Sequence, residues 1–155
     1  LTINDIKRNF PFEIFLIIGS SIAISKVLVS SGLANDIATV ITASFGVYGV
    51  YGSFIGIYLV TMILTEFMSN NSAAAIVFPI AYSTAIGLDA SIYPFVFAVV
   101  FGASASFLIP HGYQTNLMVT SLGSYKTKDF IKAGIPLSIV YSLVVIIAIP
   151  IFFNF

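Results

Sequence analysis

Leu64-Thr65-Glu66-Phe67-Met68-Ser69-Asn70-Asn71-Ser72-Ala73-Ala74-Ala75 is a polar run set between two apolar arms, residues 48–64 and 73–86. The second arm has only 14 residues, fewer than the roughly 17 that a helix needs to cross a bilayer. The pattern predicts a helical hairpin over 48–86 that enters the membrane and returns, with its polar tip held at depth. Pro79 lies inside the second arm, where neighbouring helices can satisfy the carbonyl it frees. An ordinary loop between two complete spans fits the same residues.

The rest of the chain supplies the apolar setting. Of its 155 residues 59% are hydrophobic and 8% charged, against about 25% charged in soluble domains. Mean hydropathy is +1.07. So few charges cannot cover a water-facing surface, whereas a lipid-facing one needs none. A net charge of zero leaves no basic face for nucleic acid. With no Cys there is neither a disulfide nor a thiolate metal site, and the redox compartment stays open. Leu1-Thr2-Ile3-Asn4-Asp5 has no Met and no signal-peptide pattern. The chain is therefore expected to be the C-terminal part of a longer protein, whose missing N-terminal half holds part of any site.

Outward from the hairpin, residues 10–29 make one span, with Glu13 near its start and Lys26 near its end. Residues 33–45 are too short and too polar to cross. Leu33, Ile37, Val40 and Ile41 recur there at helical spacing, which suggests an interfacial amphipathic helix. Residues 92–122 form an apolar segment interrupted at Pro110-His111-Gly112-Tyr113-Gln114-Thr115-Asn116, the sequence mark of a discontinuous helix. Small residues from Gly102 to Ser106 allow close helix packing. The last span covers 133–153. Lys7 and Arg8 fall on the same side as Lys126, Lys128 and Lys132, which the positive-inside rule makes cytoplasmic.

Two polar clusters therefore lie in apolar surroundings, the hairpin tip and the break. Their hydroxyls, amides and unwound carbonyls suit a hard cation. Helix N-termini near Ser69-Asn70-Asn71 and Thr115-Asn116 favour an anion. Glu66 can coordinate a cation, but a carboxylate beside an anion site repels the substrate, so a structural role is favoured. His111 suits a loop or interface position, with a proton relay as the minor alternative. Tyr48, Tyr51, Phe54 and Tyr58 read as interfacial belt and packing.

The tip, followed by Phe78-Pro79-Ile80-Ala81, resembles the divalent anion–sodium symporter family of the citrate-transporter-like superfamily. The break resembles that family's Pro-x-Gly-x-x-Thr-Asn segment. Ser31-Gly32-Leu33-Ala34 and the stretch from Tyr125 to Pro136 are also similar. The resemblance implies an all-α integral membrane fold, half of an inverted-repeat transporter, with a re-entrant hairpin and a discontinuous helix. It implies a Na+ site at Thr65, Ser69 and Asn70 and the backbone near Met68 and Leu108. It implies anion contacts from Ser69, Asn70 and Asn71 and from the break, where Pro110, Gly112, Thr115 and Asn116 stand. Asn71 replaces the family's usual Thr, and Ile109-Pro110-His111 stands where Thr-Pro is common.

The expected function is secondary transport of a dicarboxylate, citrate or sulfate across the cell membrane. Na+ is the expected coupling ion, with no other cofactor and a possible homodimer. A membrane-embedded assembly subunit or a non-transporting remnant is the alternative from another class. One His, no Cys and no acid–base pair at useful spacing argue against an enzyme. The topology has a direct check. A reporter fused after Lys128 is expected to be active only in its cytoplasmic form; activity only outside the cell refutes the orientation.

Overall fold

The computed structural model describes residues 12–155, and their regular structure is helical. The elements are α1 (Phe12–Ser30), α2 (Leu33–Phe45), a 3-10 turn (Gly46–Tyr48), α3 (Gly49–Phe67), α4 (Asn70–Gly87) and α5 (Ile92–Ala103). A second 3-10 turn (Pro110–Gly112), α6 (Gln114–Gly123) and α7 (Thr127–Phe152) follow. Lys7, Arg8 and the Glu13 side chain lie outside the described residues.

The surface is aliphatic where a soluble protein would be charged. Along α7, Ile135, Leu137, Ile139, Val140, Leu143, Val144 and Ile147 are all exposed. Leu33–Phe67 and Thr127–Phe152 are each long and apolar enough to cross a membrane. The 26 residues of α7 reach about 39 Å, more than the roughly 30 Å of a hydrocarbon core. The helix starts at Thr127, six residues ahead of the span expected from 133. Asp129 Oδ2 accepts the Lys126 N–H at 2.8 Å and fixes this start. Lys128 and Lys132 thus stand, exposed, on the first turns of the helix.

The chain leaves α1 through Gly32, whose φ of +81° is easy only for glycine. On α2 the buried positions are Ala34, Ala38 and Ile41, while Leu33 and Val40 are 48% and 64% exposed. The expected apolar stripe is thus split. Small residues let α2 lie close to α3 and α4, and the larger ones face outward, where lipid is as good a solvent as protein.

The core lies between α3, α4 and α5. Phe54, Ile57 and Tyr58 pack with Val77, Ile80, Ala81, Phe95, Ala98 and Val99. The aromatic stretch divides here: Tyr48 is exposed, whereas Phe54 and Tyr58 are buried. Tyrosine hydroxyls tie α7 to this core. Tyr51 donates to Ile146 O at 2.9 Å, Tyr141 donates to Phe101 O at 3.1 Å, and Tyr58 pairs with Ser142 Oγ at 2.9 Å. Phe155 sets its ring edge-on against Tyr51, Phe54 and Phe95.

Gly102 sets the α3–α5 distance. A Cβ there would lie 2.8 Å from Thr61 Cβ and 3.0 Å from Tyr58 O. Overpacking of this kind costs about 1–3 kcal/mol. Gly102→Val is expected to lower the unfolding temperature of the detergent-solubilised protein. Gly87→Ala, where nothing lies within 4 Å, should leave it unchanged; equal behaviour of the two variants would show that the close approach carries no weight.

Candidate functional site

Two residues join α3 to α4. Met68 is extended, with its N–H on Leu64 O at 3.1 Å. Ser69 caps α4: its Oγ accepts the Ser72 N–H at 3.3 Å and lies 2.8 Å from Ser72 Oγ.

Glu66 lies one turn back, 5% exposed. Its Oε1 accepts the N–H groups of Phe107 and Leu108, both at 3.0 Å. Its Oε2 accepts those of Ile109 at 2.8 Å and Leu108 at 3.2 Å. A buried carboxylate without partners is very unfavourable, and this one is satisfied on both oxygens. In a continued α5 the same N–H groups would bond carbonyls four residues back. The carboxylate takes them instead, so α5 ends at Ala103 rather than running to Ile109. Ile109 is extended ahead of Pro110, as the proline ring requires. Glu66 is therefore a structural clamp.

The freed strand passes the end of α3 at Gly112. A Cβ on Gly112 would collide with Ser106 Oγ, lie 2.6 Å from Thr65 O and lie 3.3 Å from Glu66 O. Only glycine fits, and three oxygens gather around it. The two carbonyls belong to the last turn of α3, the negative end of its dipole. Thr65 Oγ1, fully buried, stands 2.6 Å from Ala103 O and 2.8 Å from Asn70 Oδ1. One hydroxyl proton cannot serve both. All three groups are satisfied if Thr65 donates to Ala103 O and the Asn70 carboxamide is turned to donate to Thr65, which frees the Asn70 oxygen.

The remaining expected residues distribute as follows. Asn116 Nδ2 donates to Ser106 O at 3.2 Å. Helix α6 starts at Gln114, with Tyr113 at its N-cap and no side-chain bond there. Thr115 and Asn116 therefore stand inside the first turn and do not cap it, and Thr115 is exposed. Pro110 is buried at the head of the 3-10 turn. The Leu108 N–H is held by Glu66, which leaves only its carbonyl. The imidazole of His111 lies outside the described residues. Asn71 faces away from Asn70, into a cleft of about 1110 Å³ between α1, α4 and α5. Phe78, Pro79, Tyr82 and Val96 form its walls, and Lys26 is its charged residue among the described ones. The structure thus unites Thr65, Asn70 and Gly112 and separates Asn71 and Thr115 from them. Ala103 and Ser106, which read in the sequence only as small packing residues, join the first group.

The whole chain, residues 1–155, matches the sodium:sulfate symporter transmembrane region. It is 33% identical to sodium/sulfate cotransporter 1 of Chlamydomonas reinhardtii over 86% of the chain and 15% of that protein. It is 33% identical to an uncharacterized transporter of Synechocystis over 85% of the chain and 22% of that protein. An uncharacterized transporter of Escherichia coli is also 33% identical, over 71% of the chain and 18% of its own length. The chain thus spans less than a quarter of each of these relatives.

The Glu66 clamp has a measurable weight. Hydrogen bonds to a charged group contribute about 1.5–3 kcal/mol each. Glu66→Gln presents an amide NH2 to backbone donors in place of one oxygen. It is expected to cost several kcal/mol, read as a lower unfolding temperature and faster proteolysis between residues 104 and 113. Unchanged stability would show that the three amides do not depend on the carboxylate.

Proposed function

The chain belongs to the sodium:sulfate symporter transmembrane family, and from that premise we propose that it forms the C-terminal part of a Na+-coupled anion permease in the cell membrane. It is a helical membrane segment of a transporter family. The observation that carries the coupled mechanism is the meeting of unlike helix ends at the tip. The carbonyl end of α3 and the amide end of α4 are two residues apart. The first favours a cation and the second an anion.

Depth supports the re-entrant reading better than arm length does. Helix α4 takes in Asn70 to Ser72 and reaches 18 residues, so its length alone does not exclude a full span. But α5 has 12 residues, about 18 Å, little more than half of a roughly 30 Å core. Thr65 bonds Ala103 where α5 stops. In this reading the tip lies partway through the bilayer, and α5 with α6 makes one discontinuous span. The other half of the transporter, absent here, supplies the opposite wall, and the complete protein pairs as a homodimer.

The coupling cation is held near Thr65, Asn70 and Gly112, with the carbonyls of Met68 and Leu108 as further donors. The anion meets Ser69 and Asn71 at the start of α4, with the break as its further contact. Sulfate is the first substrate to test, since one relative is a sodium/sulfate cotransporter; citrate and dicarboxylates follow. Two unit charges about 6 Å apart attract by roughly 3 kcal/mol at an effective dielectric of 20, about a hundredfold in affinity. Binding of each ion therefore favours the other, and both move together by alternating access.

Asn70 decides this reading. Asn70→Ala removes a cation ligand in a partly dry site, where an unmet polar group costs about 1–3 kcal/mol. Na+-dependent uptake by the complete protein is expected to weaken about fivefold to a hundredfold in coupled affinity. Asn71→Thr should preserve transport and alter anion preference. Initial uptake rates of labelled sulfate, citrate and succinate against Na+ concentration give the result. Wild-type affinity for both ions in Asn70→Ala would make the tip an ordinary turn.

A further inference from the structure

Among the described residues, three buried hydroxyls lack a hydrogen-bond partner: Ser53, Ser106 and Ser138. Buried or apolar-facing hydroxyls on these helices usually turn back to the preceding carbonyl. Thr61 bonds Ile57 O at 2.7 Å, Thr84 bonds Ile80 O at 2.9 Å, and Ser104 bonds Val100 O at 2.9 Å. Ser53 and Ser138 stand on α3 and α7. Ser106 stands in the non-helical strand beyond the last turn of α5, and its proton is given to none of these carbonyls. Its side chain is 4% exposed, and its own carbonyl is engaged by Asn116.

The Ser106 hydroxyl also faces particular neighbours. It abuts Gly112 beside the carbonyls of Thr65 and Glu66. The three neighbouring atoms nearest that point are all oxygens, an arrangement that a positive charge at its focus would stabilise. The Glu66 carboxylate is turned away and fully engaged by amides, so the focus is lined by neutral oxygen. Neutral, hard oxygens suit a monovalent alkali cation, whereas Ca2+ and Mg2+ sites draw on carboxylates.

We propose that Ser106 Oγ is a ligand of the coupling Na+, joining the Thr65 and Glu66 carbonyls and the Asn70 carboxamide oxygen around Gly112. This rests on the reading of the segment as Na+-coupled. It assigns to the strand after α5 a direct part in the choice of ion. The hydroxyl binds the cation from the break while Asn70 binds it from the hairpin, so the ion links the two polar clusters.

The test uses the complete protein, in proteoliposomes for uptake and in detergent for Na+-dependent thermal protection. Ser106→Ala removes one oxygen with little change in volume. The half-saturating Na+ concentration is expected to rise roughly fivefold to a hundredfold, in both uptake and protection. Anion affinity at saturating Na+ should stay at the wild-type value. Ser106→Cys replaces the hard oxygen by soft sulfur and should show the same shift, which keeps the question open to measurement if the alanine variant folds poorly. Ser53→Ala and Ser138→Ala, the other partnerless hydroxyls, should leave the Na+ response unchanged. If Ser106→Ala and Ser106→Cys keep the wild-type Na+ response while Asn70→Ala abolishes it, Ser106 is no ligand and the coupled reading stands. If the wild-type protein shows no Na+ dependence in uptake or protection, both fall.

Discussion

Three consecutive amides, those of Phe107, Leu108 and Ile109, end on the carboxylate of Glu66. Within a bilayer a backbone N–H that leaves its helix has no water to meet, and each unsatisfied group costs several kcal/mol. The segment that follows α5 thus needs an acceptor from elsewhere in the fold, and a single side chain supplies it to three amides. In return, the buried carboxylate is solvated by the amides it has drawn out of the helix. Neither half is tolerable alone: the charge without the amides, or the unwound strand without the charge. The end of α5, the path of the strand to Gly112 and the oxygens gathered there all follow from this exchange.

Close packing holds the clamp in place. Gly102 brings α3 against α5, Gly112 brings the strand against the end of α3, and Gly134 leaves room for the Phe107 carbonyl at the face of α7. No hydrophobic force drives helices together in lipid, so contacts of this kind and hydrogen bonds carry the association. The tyrosine hydroxyls on α3 and α7 add the second element, since their rings suit an apolar core and their O–H groups reach carbonyls across helices.

Much of this architecture is legible in the sequence because it depends on neighbours in the chain. The polar run at 65–72 between apolar arms marks the turn, and Ser69 serves as the N-cap that its type suggests. The Pro110-His111-Gly112 run marks a break but misplaces its start. Pro110 reveals itself locally, whereas the carboxylate that ends the helix at Ala103 is 41 to 43 residues away. Thr115 and Asn116 have the chemistry of caps, yet the helix begins before them. On α2 the periodicity of large apolar residues is only half right: Ile41 is buried, but Leu33 and Val40 face outward, because in lipid a large side chain gains little by turning inward. Ala103 and Ser106 give no signal at all: a small residue reads as packing until its neighbours are known.

Asn70 and Asn71 are identical side chains on adjacent residues, and they serve different surroundings. One meets Thr65 at the end of α3; the other borders the cleft with Lys26. A helix turns about 100° per residue, so the sorting depends on register rather than on chemistry. Substitution at position 71 changes the cleft face and leaves the Thr65 face alone. An insertion or deletion of one residue in the tip does the opposite. It rotates each amide into its neighbour's place while leaving the composition almost unaltered. The tip therefore behaves as a fixed-length spacer, permissive to spelling and intolerant of a change in count.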